Sequence, residues 1–164
     1  MRLCRERDVP LVLFSAGLGN VARLVLERKL PADVRGEGVP IVSNWLIFDG
    51  EDGEGGRLLS GISEPLVHMY NKHGATVKAQ LGEQWEEIAA GRRTVLVVGD
   101  SLGDATMADG LGEGLSVCRV GFVNTTDATK RAKLLPQYER AFDALVLHDG
   151  PWSWITHEML RSNA

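Results

Sequence analysis

The sequence predicts an α/β fold, a parallel sheet with helices on both faces. Three features carry that expectation. Short apolar runs alternate with helical patterns along the chain. Thr94-Val-Leu-Val-Val98 is apolar almost throughout, as a strand buried on both faces requires. Several runs end in a glycine turn that opens onto a helical pattern, the start of a β-α unit. Composition agrees. Of 164 residues, 44% are hydrophobic and 24% charged, a globular balance that argues against a disordered chain.

The elements follow in order. Pro10-Leu-Val-Leu-Phe14 predicts the first strand, ending at Ser15-Ala-Gly-Leu-Gly19. Val21, Leu24, Val25 and Arg28 then recur at helical spacing. Pro40 to Phe48 reads as a second strand, Asp49 to Gly56 as an acidic turn-rich loop, and Arg57 to Ile62 as a returning strand. Val77 to Ala90 predicts one helix with Val77, Leu81, Trp85 and Ile88 along a face. The strand at Thr94 to Val98 runs into Gly99-Asp-Ser-Leu-Gly-Asp104 and a short helix around Ala105 to Asp109. Ser116 to Gly121 is a further strand and Asp127 to Leu135 a further helix. Ala144 to His148 is a last strand and Trp152 to Arg161 a last helix. Neither a repeat nor a linker interrupts this order, so residues 1–164 are expected to form one domain. Ligands in such folds sit beyond the carboxyl ends of the strands, which singles out Ser15, Asp49 and Asp100.

Charge and composition narrow the function classes. The net charge of −4 provides no basic field for nucleic acid or an anionic membrane. No apolar run reaches the roughly 18 residues of a membrane span, and the charged start, Met1 to Asp8, is unlike a signal peptide. Two cysteines, Cys4 and Cys118, are too few for a disulfide framework and are expected to be reduced thiols in a cytoplasmic protein.

Four stretches have the residue types for chemistry. In Val97-Val-Gly-Asp-Ser-Leu-Gly-Asp104, Asp100 and Asp104 flank a glycine turn at a strand end. Grouped carboxylates there suit Mg²⁺, held by one or two carboxylates plus a substrate phosphate; two acids satisfying helix N-terminal amides are the plainer alternative. Gly99-Asp-Ser-Leu-Gly103 also fits a nucleophile elbow centred on Ser101, with Asp143 or Asp149 and His148 or His157 completing an esterase triad. Ser15, with the Ala16 and Gly17 amides at a helix start, forms an anion cradle. Gly17-Leu-Gly-Asn-Val-Ala22 fits a dinucleotide fingerprint as well, although Asp49, the acid to hold the ribose, lies about 30 residues on rather than ~20. In His68-Met-Tyr-Asn-Lys-His73, Lys72 can neutralise a phosphate, whereas His68 and His73 miss the spacing that favours a shared metal on a helix. Ile47-Phe-Asp-Gly-Glu51 resembles a phosphatase D-x-D nucleophile motif with Glu51 in its second place.

Serine after a strand, then a lysine, then paired aspartates at a strand end is the order of motifs II, III and IV in haloacid-dehalogenase-type phosphatases. The words Phe14-Ser-Ala-Gly-Leu-Gly19, Val42-Ser-Asn44, Asn71-Lys-His73 and Gly99-Asp-Ser-Leu-Gly-Asp-Ala-Thr-Met-Ala-Asp-Gly110 resemble the cytosolic pyrimidine 5'-nucleotidase family, type III, from about Asp8 to about Leu160. The resemblance implies a three-layer Rossmann-like haloacid-dehalogenase core. It also implies Mg²⁺-dependent hydrolysis of nucleoside 5'-monophosphates, pyrimidines preferred and 7-methylguanosine monophosphate a variation. By matched position, Ser15 and the Ala16 and Gly17 amides would bind the phosphate. Lys72 would neutralise it and the phospho-aspartyl intermediate. Asp100 would be a Mg²⁺ ligand supported by Asp104. The family's motif I, an upstream D-x-D that supplies the nucleophile and the general acid/base, is absent, as is the cap that reads the base. The chain is therefore expected to be the C-terminal half of a 5'-nucleotidase, with an incomplete core. The missing strand leaves an open place between the strand ending at Ser15 and the strand ending at Asp100, and the exposed edges invite self-association. A non-catalytic phosphate- or nucleotide-binding fragment is the alternative from a different class, and a serine esterase using Ser101 a third.

Overall fold

The structure, a computed structural model, describes all residues except 32–38, 52, 54, 149, 154 and 156–164. A short helix α1 (Arg2–Glu6) precedes β1 (Leu13–Leu18), α2 (Gly19–Lys29), β2 (Ile41–Asn44), β3 (Leu46–Glu51) and β4 (Arg57–Ile62). Then come α3 (Gly74–Leu81), α4 (Glu83–Ala89), β5 (Thr94–Gly99), a 3₁₀ turn (Leu102–Thr106), β6 (Ser116–Val123), α5 (Ala128–Ala141) and β7 (Ala144–Leu147).

The parallel strands fall into two sheets. In one, β1 pairs with β2, Leu13 opposite Ile41 and Phe14 opposite Val42. In the other, β5, β6 and β7 lie side by side, from Thr94 opposite Ser116 to Gly99 opposite Gly121, and from Val120 opposite Ala144 to Val123 opposite Leu147. β3 and β4 form a separate antiparallel hairpin. β1 and β5 therefore each keep one edge without a strand partner among the described residues. Side chains join the two sheets instead. Val42 of β2 and Val97 of β5 share a buried cluster with Val77, Trp85, Ala108 and Leu111, and Val12 and Phe14 pack on it.

Several boundaries differ from the sequence pattern. The run Pro40 to Phe48 is two strands divided at Trp45. All of Ile41–Asn44 is buried, whereas the hairpin strands are mostly exposed. The expected helix from Val77 to Ala90 breaks at Gly82, whose φ of 53° suits a residue without Cβ. α5 does not stop before Pro136 but runs through it to Ala141. A mid-helix proline forfeits one hydrogen bond, and burial of Tyr138 and Phe142 beyond it offsets that loss. The helix expected from Trp152 to Arg161 lies largely outside the described residues. Among the described residues no helix is long and apolar enough to cross a membrane.

Candidate functional site

The carboxyl end of β5 turns sharply at Gly99. A Cβ there would collide with the Asp104 side chain, so only glycine lets the strand end approach the 3₁₀ turn this closely. Ser101 and Asp104 form a capping box, each side chain accepting from the other's backbone N–H. One carboxylate oxygen of Asp104, Oδ2, accepts from the amides of Asp100 and Ser101, both at 3.0 Å. The other, Oδ1, accepts from Lys72 Nζ in an ion pair whose side chains are 13% and 6% exposed.

Burial alone would raise the Asp104 pKa. The Lys72 hydrogen bond and charge and the Ser101 bonds outweigh it, and the carboxyl is held below its ordinary value. The sign follows from linkage. A carboxyl with a depressed native pKa contributes stability that is complete above the unfolded value of about 3.9 and lost as pH falls through the native one. Wild-type Tm is therefore expected to fall steeply as pH drops below about 4. Asp104→Asn, less stable at pH 7, should lose less over the same range. Parallel slopes in thermal melts would remove Asp104 from the acid transition.

Lys72 also lies over the Phe14 ring, 5.5 Å from its centroid, beside Ser15. Its carbonyl accepts from Thr106 Oγ1 at 3.2 Å. The Ser15 hydroxyl accepts from the Gly17 amide at 3.1 Å, so its own proton remains for an anion. Two side chains of β2 pin this segment from behind. Ser43 Oγ donates to the Gly17 carbonyl at 2.8 Å, and Asn44 Nδ2 to the Ala16 carbonyl at 2.9 Å. Asn44 also grips Val67, accepting from its N–H at 2.7 Å and donating to its carbonyl at 2.9 Å. A single buried amide thus ties the Ser15 segment to the loop that leads to Lys72.

The structure brings Lys72, Asp104, the Phe14–Ser15 segment and the Asp100 turn together. It does not bring the other candidates to them. Asp49 and Glu51 lie on the β3–β4 hairpin opposite Leu58 and Arg57, and neither hydrogen-bonds or ion-pairs with Ser15, Lys72 or Asp100. That placement removes both the D-x-D reading and the ribose-binding reading of Asp49. The Ser101 hydroxyl serves the capping box and bonds no imidazole among the described residues. His148 lies beside Arg131 at 3.3 Å, and Asp143 accepts from the Arg119 amide. Asp149 and His157 lie outside the described residues. His68 Nδ1 accepts from the Tyr70 amide, and His73 precedes α3 as its N-cap.

Sequence reasoning missed two contributors. Asn44 was legible as a polar residue closing a buried strand, which must find partners. Tyr138 of α5 was not. Its hydroxyl donates to the Asp100 carbonyl at 2.6 Å. Burial, with the Asp100 and Asp104 charges, holds its pKa above the usual value, so it stays a donor.

The donor set bears on a metal. Among the described residues no group of three or more His, Cys, Asp or Glu is arranged around a metal position. Both oxygens of Asp104 are in use, whereas the exposed Asp100 carboxylate has no hydrogen-bond or ion-pair partner. One open carboxylate oxygen donor fits a hard cation that takes its remaining ligands from phosphate and water.

The α/β core, with a lysine–aspartate pair between two parallel strand ends, is of the haloacid-dehalogenase type. It superposes on the crystal structure of cytosolic 5'-nucleotidase IIIB bound to cytidine with a TM-score of 0.77 and 26% identity, over 98% of this chain and 50% of that one. The family model of pyrimidine 5'-nucleotidase (UMPH-1) matches residues 1–162, and the chain belongs to that family. Among curated relatives, 7-methylguanosine phosphate-specific 5'-nucleotidase B of Xenopus laevis is 34% identical over 144 residues, 88% of this chain and 44% of that protein. The 7-methylguanosine phosphate-specific 5'-nucleotidase of Drosophila melanogaster is 34% identical over 142 residues, 86% of this chain and 40% of that protein. The chain thus spans less than half the length of these relatives.

Proposed function

We propose that this chain is the phosphate- and metal-binding part of a Mg²⁺-dependent, cytoplasmic 5'-nucleotidase that hydrolyses nucleoside 5'-monophosphates. The observation that carries the reading is the Lys72–Asp104 pair set against Phe14, with the Asp100 carboxylate left open. In this reading residues 1–164 are one partial haloacid-dehalogenase-like domain, and the nucleophilic aspartate lies outside the chain. The Ser15 hydroxyl and the Ala16 amide take the phosphate oxygens; the Gly17 amide, expected to join them, donates instead to Ser15 Oγ. Lys72, aimed by Asp104, neutralises the equatorial oxygens where charge is spread in phosphoryl transfer. Asp100 would hold Mg²⁺, which when bound supplies further neutralisation of the phosphate. Pyrimidine monophosphates are the preferred substrates under the family's name, and 7-methylguanosine monophosphate under those of the relatives. The open edges of β1 and β5 support self-association.

A second reading, a binding module without turnover, is favoured by the lack of another open carboxylate in contact with Lys72 or Ser15 among the described residues. One experiment separates the two. The chain is titrated with cytidine, uridine and 7-methylguanosine 5'-monophosphates in Mg²⁺ and in EDTA, while phosphate release and light scattering are followed. Binding that needs Mg²⁺ and disappears in Asp100→Asn supports the site; binding indifferent to both overturns it. Release lost in the same variant assigns turnover to the chain itself, and binding without release favours the module. A monodisperse monomer refutes self-association.

A further inference from the structure

We propose that Tyr138 is a positioning residue for the Asp100 carboxylate. The inference rests on the reading of Asp100 as a metal ligand and adds a residue 38 positions away. Both peptide groups of Asp100 are held from outside the strand. Its N–H donates to Asp104 Oδ2, and its carbonyl accepts from the Tyr138 hydroxyl at 2.6 Å. Its side chain alone is left without a partner. A residue fixed at both peptide groups has little freedom in φ and ψ, so its Cα–Cβ bond is aimed before any ligand arrives.

Tyr138 is itself well placed to impose that direction. It is 7% exposed and packs with Ala105, Val123 and Phe142. Its ring stacks on Phe142 at 5.5 Å between centroids, with 24° between planes. The phenol therefore arrives on a rigid arm built by α5, and the continuation of that helix past Pro136 brings it there. A buried tyrosine hydroxyl needs an acceptor, and here the acceptor belongs to the one residue of the site with an open carboxylate.

The test compares Tyr138→Phe with Phe142→Leu, which loosens the same packing but keeps the hydroxyl. Mn²⁺ uptake is read by the electron paramagnetic resonance of the free ion, and amide exchange at Ser101 by NMR. Tyr138→Phe is expected to weaken Mn²⁺ binding roughly five- to tenfold, the effect of one hydrogen bond. Phe142→Leu should lower Tm by as much or more and leave Mn²⁺ binding unchanged. Wild-type affinity in Tyr138→Phe, or equal weakening in both variants, overturns the proposal. If the wild-type chain takes up no Mn²⁺, the metal reading of Asp100 fails on its own. Exchange at Ser101 then decides the role of Tyr138: faster in Tyr138→Phe than in Phe142→Leu upholds it, and equal rates overturn it.

Discussion

In the full-length 5'-nucleotidase proposed above, replacing Lys72 with methionine is expected to lower hydrolysis of nucleoside 5'-monophosphates by at least about a thousandfold, or about 4 kcal/mol of barrier. Among the described residues the ammonium is the only side-chain cation paired at the site, and phosphoryl transfer depends on neutralising the phosphate oxygens. Methionine keeps the stem over Phe14 and removes the charge. The change also leaves Asp104 ionised and buried without its cation, which costs about 3–5 kcal/mol where such a pair is broken. The two effects separate in the double variant Lys72→Met/Asp104→Asn. It should recover stability, read by urea unfolding, without recovering turnover, read as phosphate release. Retained hydrolysis in a folded Lys72→Met protein would remove Lys72 from the chemistry.

Asn44→Ala is expected to lose about 3 kcal/mol of stability. The side chain is 7% exposed and makes three hydrogen bonds, to the Ala16 carbonyl and to both peptide groups of Val67. Truncation strands an N–H and two carbonyls in the interior. Asn44→Asp is nearly isosteric yet should do no better, because it turns a carboxylate oxygen toward two carbonyls that need a donor. Affinity for phosphate should fall with stability, since the same amide ties the Ser15 segment to the Lys72 loop. Urea unfolding and phosphate titration check the two halves. An Asn44→Asp protein as stable as wild type would show that the amide's orientation does not matter.

The legible parts of this molecule were those whose signal is local. Thr94 to Gly99 reads as a buried strand because almost every residue is apolar, and Arg57 to Ile62 reads as a returning strand because an acidic glycine-rich turn precedes it. Gly82 is present in the sequence, but a single glycine inside a helical pattern is tolerated at a cost of about 1 kcal/mol, and its positive φ is visible only in three dimensions. Pro136 misled in the other direction. The proline signal is local, whereas the packing of Tyr138 and Phe142 that overrides it comes from β6 and the Asp100 turn. Among the site residues, Lys72 and Asp104 are each legible from their own segment. Their pairing across 32 positions, which makes Asp104 a partner of the lysine and of two amides, could not be read from spacing. Asn44 is legible as the polar end of a buried strand, but the two segments it joins are not.

The separation of β1 and β5 into different sheets has a thermodynamic consequence. The seam between the sheets is closed by side chains, Lys72 to Asp104 and Phe14 among them, rather than by a continuous ladder of peptide hydrogen bonds. The residues proposed to take phosphate and its metal sit on both banks of that seam, Ser15 on one and Asp100 on the other. A phosphate bound together with its cation acts as a staple across them. Its binding energy is then also resistance to opening, so melting temperature climbs with ligand concentration and the unliganded molecule parts first along the line where substrate sits.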